Sequence, residues 1–293
     1  MSGRTARRRV LKVSLGDAAS PDNATASRHR ADLLAVEEPL GIRVGGEALT
    51  MTMRTPGDDI DLAAGFLAGE AIVRGPDDIK EIKLCDGASC RHEHHGASNH
   101  GHDDIGNIAD VTLAGGLSVA TEHARRSFMT TSACGVCGKT SIDDICVLPR
   151  TPLAEDTTTF AAKTIASFPG RLRAAQKVFA STGGLHAAGL FSADGDLIVV
   201  REDVGRHNAV DKLVGHALLH GMLPLAGHAL LVSGRASFEL VQKTVLAGIP
   251  LIAAVSAPSS LAADLADESG LTLVGFLRDQ SMNVYTHADR VSC

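Results

Sequence analysis

Cys134 and Cys137 sit in the run Thr130-Thr131-Ser132-Ala133-Cys134-Gly135-Val136-Cys137-Gly138-Lys139, which puts two thiols within reach of each other on one turn. A thiol so placed becomes a nucleophile or a metal ligand only as the thiolate. Helix N-terminal amides and a nearby cation such as Lys139 lower its pKa. Glycines inside and outside the pair leave the backbone open to a bulky reactant. Spacing alone leaves three chemistries open. A structural zinc knuckle needs a second ligand pair, which Cys85 and Cys90 with their neighbouring histidines could supply, at poor spacing. A redox pair of the thioredoxin kind expects a different context, at the start of a small βαβ domain. A sulfur carrier uses one thiolate to hold a sulfane sulfur as a persulfide. On spacing alone zinc and redox rank ahead of it.

Two turns offer a second kind of chemistry. Ser233-Gly234-Arg235-Ala236-Ser237 and Ser256-Ala257-Pro258-Ser259-Ser260 each follow an apolar run and precede a helical pattern, where free backbone N–H groups receive phosphates. Neither is a nucleotide-binding fingerprint, and capping is the simpler role for any one serine. Ser181-Thr182-Gly183-Gly184 is a third open turn of this kind. The stretch 201–212, Arg-Glu-Asp-Val-Gly-Arg-His-Asn-Ala-Val-Asp-Lys, crowds polar side chains at a strand-to-helix junction. Its plain reading is a solvated first turn, with His207 and Asp211 as a surface pair at i and i+4.

The elements that must hold these groups follow from periodicity. Strands are expected from about Asp32, with Gly45-Gly46 turning a hairpin. Pro56-Gly57-Asp58-Asp59 opens a helix over 58–73 whose Leu62, Phe66, Leu67 and Ile72 share a core face. Asp194-Gly195 turns a second hairpin between 185–191 and 196–200. Beyond it, strands at 229–232, 250–255 and 271–276 alternate with helices at 206–220, 236–247 and after 258. That alternation argues for a mainly parallel sheet covered on both faces. Residues 85–104 break the pattern: they hold five of the 13 histidines and almost no large apolar residue, so they read as a loop.

Composition limits the partners. Apolar residues at 44% supply a core, whereas no Trp and a single Tyr leave little for stacking nucleic-acid bases. Six cysteines in 293 residues are too few for a disulfide scaffold. Formal charge is −6, yet residues 1–30 hold seven Lys/Arg against Asp17 and Asp22, so the rest is strongly acidic. This basic start reads as a solvated arm, because no Lys/Arg stripe continues into the body. Arg8-Arg9 is not followed by the apolar stretch of an export signal, and no run reaches the ~18 apolar residues of a membrane span. The expectation is a cytoplasmic protein without nucleic-acid or membrane partners.

Four stretches taken together resemble the formate dehydrogenase accessory sulfurtransferases of the FdhD type. They are Met53-Arg54-Thr55-Pro56-Gly57 with its helix, the 131–139 cysteine motif, 201–212, and 275–285, Gly-Phe-Leu-Arg-Asp-Gln-Ser-Met-Asn-Val-Tyr. The likeness runs from about residue 32 to 287 and is specific through the order of its motifs. It implies an α/β fold with a cytidine deaminase-like mixed sheet covered by helices and an N-terminal β-rich extension. The implied layout is a basic flexible arm over 1–31, a strand/helix subdomain over 32–125 with the His/Cys-rich loop 85–104, and an α/β core over 126–293. It also implies that Cys134, with Cys137 as companion, takes sulfur as a persulfide from a cysteine desulfurase. The sulfur then passes to the molybdenum bis(molybdopterin guanine dinucleotide) cofactor destined for formate dehydrogenase. Phe276, Leu277, Arg278, Asp279, Gln280 and Ser281 are implied as cofactor-binding residues, with Arg206, Arg235 and Arg278 as candidate phosphate partners. A homodimer with no tightly held metal of its own completes the expectation. Deamination does not fit, since Ala133 precedes Cys134 and His92-Glu93-His94 lacks the His-x-Glu order. Two other readings stand beside this one: a non-catalytic molybdenum cofactor chaperone and a zinc-binding regulatory protein.

Overall fold

The computed structural model describes residues 3–15, 26–85, 107–115 and 152–293. Cys134, Cys137, Cys90, Cys146 and most of the His/Cys-rich loop lie outside the described residues. The chain opens with an antiparallel ribbon, β1 (Thr5–Ser14) and β2 (Ala26–Ala35), paired along ten positions. The basic arm is therefore not a loose tail in its described part. It escapes a periodicity search because both faces of the ribbon are largely exposed, which removes the in–out alternation that marks a half-buried strand.

A four-stranded sheet follows, in the order β4-β3-β6-β5, from β3 (Glu38–Val44), β4 (Glu47–Arg54), β5 (Ile79–Cys85) and β6 (Ile108–Leu113). Gly45 and Gly46 at φ 59° and 83° make the β3–β4 turn, a conformation that matches hairpin twist and is open to glycine. Helix α1 (Asp59–Gly69) lies on this sheet, with Leu62 and Leu67 packed against Leu40, Ile42, Ala109 and Val111. Cys85, at the end of β5, is disulfide-bonded, so not all six cysteines are free thiols.

The larger sheet has the order β13-β12-β11-β10-β8-β9. Its strands are β8 (His186–Ser192), β9 (Leu197–Asp203), β10 (His228–Val232), β11 (Leu251–Ala254), β12 (Thr272–Arg278) and β13 (Ser281–Thr286). Only β10, β11 and β12 run parallel, and β8, β9 and β13 pair antiparallel. The sheet is thus mixed, not mainly parallel. The Asp194-Gly195 hairpin and the short return of β13 add strands without a crossover helix. Helix α2 (Ala162–Ala175) covers one face, and α3 (Lys177–Thr182) follows it. On the other face lie α4 (Arg206–Leu219), α5 (Phe238–Leu246) and α6 (Ser260–Glu268). Strand alternation sorts the side chains: Leu230, Val232, Ile252 and Leu273 meet α4 to α6, whereas Leu231, Ala253 and Val274 meet Phe168 and Leu172 of α2. A short parallel pair, β7 (Phe160–Ala161) with β14 (Val291–Ser292), joins the C-terminus to the start of α2.

The two sheets are joined through helices. Gly65 of α1 and Gly215 of α4 face each other so closely that a Cβ on Gly65 would stand 1.8 Å from the Asp211 carbonyl oxygen, and one on Gly215 1.8 Å from that of Asp61. Only glycine permits that approach. No helix among the described residues is long and apolar enough to cross a membrane.

Candidate functional site

The carboxyl ends of the three parallel strands converge with the segments singled out by residue type. In an open α/β sheet this is where ligands collect, because loops diverge and helix N-termini point inward. The turn 233–237 leaves β10, 256–260 leaves β11, and 276–281 links β12 to β13. Antiparallel β8 and β9 bring their His186 and Asp203 ends to the same edge, where they pair.

At the β12 end the chain makes an irregular hairpin, with the ladder interrupted between Gly275 and Arg278. Gly275 is packed tightly: a Cβ there would lie 2.8 Å from Pro258 Cδ and 2.9 Å from Tyr285 Cε2. Phe276, next in sequence, has φ 49°, a left-handed conformation that a bulky residue rarely adopts. Its ring is 43% exposed, as is that of Tyr285, and its N–H donates to the Ser256 carbonyl at 3.2 Å. Arg278 donates to the carbonyls of Val255 and Leu277. An open groove of about 380 Å³ follows, lined by Pro169, Val255, Leu277, Arg278, Asp279 and Gln280. The structure therefore brings the 276–281 residues together, with one correction of detail: Leu277 is fully buried and packs in the α2 core.

The serine turns are more committed than their sequence suggests. Ser233 Oγ accepts the Ala187 N–H at 2.9 Å, and Ser259 Oγ accepts the Ala262 N–H as the cap of α6. Ser256 N–H reaches Gly234 O, and Ser259 N–H reaches Ala236 O, which ties the two turns side by side. Arg235 stays exposed at the tip between them.

The 201–212 stretch departs furthest from expectation. Asp203 and Lys212 are both fully buried and pair at 2.7 Å. Asp203 also accepts from the N–H groups of Thr55 and Gly205 and from Asn208 Nδ2, while Lys212 donates to Thr55 O at 2.8 Å. Asn208 reaches back to Met53 O at 2.7 Å. So the Met53-Arg54-Thr55 stretch and 201–212 form one buried polar junction, not a solvated turn. A buried charge pair of this kind holds only when its spare hydrogen-bonding capacity is used, as it is here. Arg54 closes the other side, with Asp59 at 3.0 and 3.1 Å and Glu38 at 3.2 Å.

His207 does not pair with Asp211. Its Nε2 lies 2.6 Å from Glu239 Oε2 and 3.2 Å from Ser237 Oγ, whereas Asp211 pairs with Lys243 at 2.6 Å. Both partners sit on α5, about thirty positions further along the chain, beyond the reach of an i and i+4 reading. Burial holds the Asp211 carboxyl above its usual range, although Lys243 opposes that. His186, facing Gly234, is held below its ordinary pKa by burial first and then by the cations Arg206 and His207. Arg206 Nε is buried without a hydrogen-bond partner among the described residues. His186 and Glu239 were not singled out from the sequence. A lone histidine opening a strand and a glutamate in a first helical turn carry no signal until the strand order is known. No cluster of three or more His, Cys, Asp or Glu side chains among the described residues is set to hold a metal.

Comparison with known proteins bears on the same chain. The profile of the FdhD/NarQ family matches residues 35–292. "Sulfur carrier protein FdhD" of Mycolicibacterium paratuberculosis is 55% identical over 287 residues, covering 98% of each chain. The protein of the same name from Nocardia farcinica is 51% identical over 292 residues, 99% of this chain and 96% of that one. A crystal structure described as a formate dehydrogenase accessory protein, from Desulfotalea psychrophila, superposes with a TM-score of 0.67 at 24% identity. It covers 97% of this chain and 99% of that one, a likeness of fold.

Proposed function

The chain belongs to the FdhD/NarQ family, and from that premise we propose that it is a sulfur carrier serving formate dehydrogenase. Its Cys134 thiolate attacks the outer sulfur of a desulfurase persulfide, so that the sulfur moves to Cys134 and the desulfurase thiolate leaves. Cys137, three residues on, is its companion. The loaded sulfur is passed to the molybdenum bis(molybdopterin guanine dinucleotide) cofactor, bound as substrate at the carboxyl end of the larger sheet. The full-length similarity to proteins named as sulfur carriers supports the transfer role.

The binding face rests on one observation: Phe276 is held exposed in a left-handed conformation, next in sequence to the residues that line the Arg278 groove. Strained non-glycine residues persist where the surroundings over-determine them, and they cluster at ligand sites. An exposed ring two residues from an arginine suits a ligand with a flat base and several phosphates, because arginine pairs with phosphate oxygens in a fixed fork. Arg235 and Arg206 stand on neighbouring turns of the same edge, where they supply positive charge that the acidic body does not.

Affinity of the full chain for the purified cofactor tests this face. Phe276→Gly and Arg278→Ala should each weaken binding by about tenfold, on the order of one charge-assisted hydrogen bond or one stacked ring. Cofactor bound with parental affinity by both variants would move the site elsewhere. A chaperone that uses no thiol chemistry separates cleanly: it would keep activating formate dehydrogenase after Cys134→Ala, whereas a sulfur carrier would not.

A further inference from the structure

Helix α4 carries His216 in its last turn and is capped by His220, two histidines one turn apart. Their imidazole rings stack with centroids 4.0 Å apart and planes tilted by 39°. Each ring has its Nδ1 turned to an oxygen. His220 Nδ1 lies 2.8 Å from the His216 carbonyl oxygen, and His216 Nδ1 faces Asp61 Oδ2 at 3.6 Å. Among the described residues the Nε2 atoms remain the open nitrogens. Asp61 is itself fixed, because Arg201 donates to its Oδ2 at 2.8 and 3.2 Å. The reason Asp61 reaches α4 at all is the Gly65–Gly215 contact, which draws the two helix backbones together.

His220 is placed as metal-binding histidines are, with one ring nitrogen tied to a carbonyl and the other left to bind, and His216 has the Asp61 carboxylate near its Nδ1. Two histidines at i and i+4 share one helix face, the spacing of paired zinc ligands, and a small turn of the exposed His220 ring brings both Nε2 atoms to one ion, with Zn–N bonds of about 2.0–2.1 Å. We propose that His216 and His220 form a two-histidine site for a divalent transition cation of the zinc class, completed by water, with Asp61 as a positioning residue for His216. Imidazole ligands select zinc, nickel or copper over calcium or magnesium, which prefer oxygen donors. Affinity comes from the two nitrogens and not from net charge, since Arg201 already neutralises Asp61. His220 is exposed at the helix end, so an ion reaches the pair directly from solvent.

Residues 85–104 hold five histidines of their own, so the readout must be residue-specific. The full chain is treated with diethyl pyrocarbonate, which acylates free imidazole nitrogen, with and without zinc ion, and modified histidines are located by peptide mass spectrometry. Zinc should slow modification of His216 and His220 together. In His216→Ala, zinc at the same concentration should no longer protect His220, and in His220→Ala it should no longer protect His216, because one imidazole loses the gain of two-point attachment, about a hundredfold. Equal modification of His220 with and without zinc in the parent overturns the site. So does undiminished protection of His220 once His216 is gone. Circular dichroism of each variant at the parental helix content confirms that loss of protection is loss of the site.

Discussion

Phe276 is a single bulky residue held in a strained conformation. A non-glycine residue in the left-handed region costs on the order of 1–3 kcal/mol, and Phe276 adopts it at φ 49°. Phe276→Gly removes that cost but gives up part of the ring's packing and frees the unfolded chain, so its stability in denaturant should stay within about 1 kcal/mol of the parent. A loss of several kcal/mol would make the ring a core anchor, not a ligand contact. His186 supplies a pH signature at the same edge. Its folded-state pKa lies below the ordinary value, through burial and then Arg206 and His207, and Asp203 beside it is already taken by Lys212. The unfolded chain therefore binds more protons once pH drops below about 6.5, and stability is lost as pH falls from there through the folded-state value. Urea midpoints at neutral and mildly acidic pH should show that loss in the parent and a smaller one in His186→Gln. His216, also depressed by burial and Arg201, keeps the variant's slope from vanishing. An unchanged slope would remove His186 from the account. At this scale the sequence was legible in residue type only. The run 276–281 and the crowd at 201–212 stood out, but the partners of Asp203, Asn208 and Lys212 lie some 150 positions away at Met53 and Thr55, and a local reading of charged residues defaults to solvent.

Helices and turns were easier to read because their signals are local. Gly45-Gly46 and Asp194-Gly195 both turn hairpins, and α1 begins one residue after Asp58, on the Pro56-Gly57 signal. The helices after 205, 237 and 259 begin near the polar turns expected to start them. Two things were hidden. The β1–β2 ribbon has no buried face to impose alternation, and the antiparallel β8, β9 and β13 cannot be told from parallel strands by apolar run length alone. The α1–α4 contact was hidden as well, since a glycine inside a helical pattern reads as a weak helix former and not as a contact. Gly65→Ala forces a Cβ to within 1.8 Å of the Asp211 backbone. The helices must separate, and overpacking of this kind costs about 1–3 kcal/mol or more. Denaturant unfolding of Gly65→Ala should show that drop, while Gly75→Ala, where a Cβ meets nothing within 4 Å, should not. Equal stability of the two variants would mean that the helix pair adapts freely.

The whole molecule divides its work between two sheets. At the end of β4 in the smaller sheet, Met53 and Thr55 accept hydrogen bonds from Asn208 and Lys212 of α4, and α1 packs on α4 at Gly65 and Gly215; α4 in turn presents Arg206 and His207 to the edge where the larger sheet's turns converge. The charge imbalance follows the same division: the described arm is a basic ribbon joined to an acidic body, anchored where Arg4 pairs with Asp58. As proposed, phosphates are met by individually placed arginines, not by a general positive field, which makes such a face selective. In the proposed role this edge receives the cofactor, and the sulfur itself depends on Cys134. The most direct measurement is to incubate the full chain with a cysteine desulfurase and cysteine, then locate added sulfur by non-reducing peptide mass spectrometry. The Cys134 peptide should gain the mass of one sulfur atom and lose it again when the molybdenum cofactor is supplied. A Cys134 peptide that never gains sulfur, while formate dehydrogenase is still activated, would contradict the account.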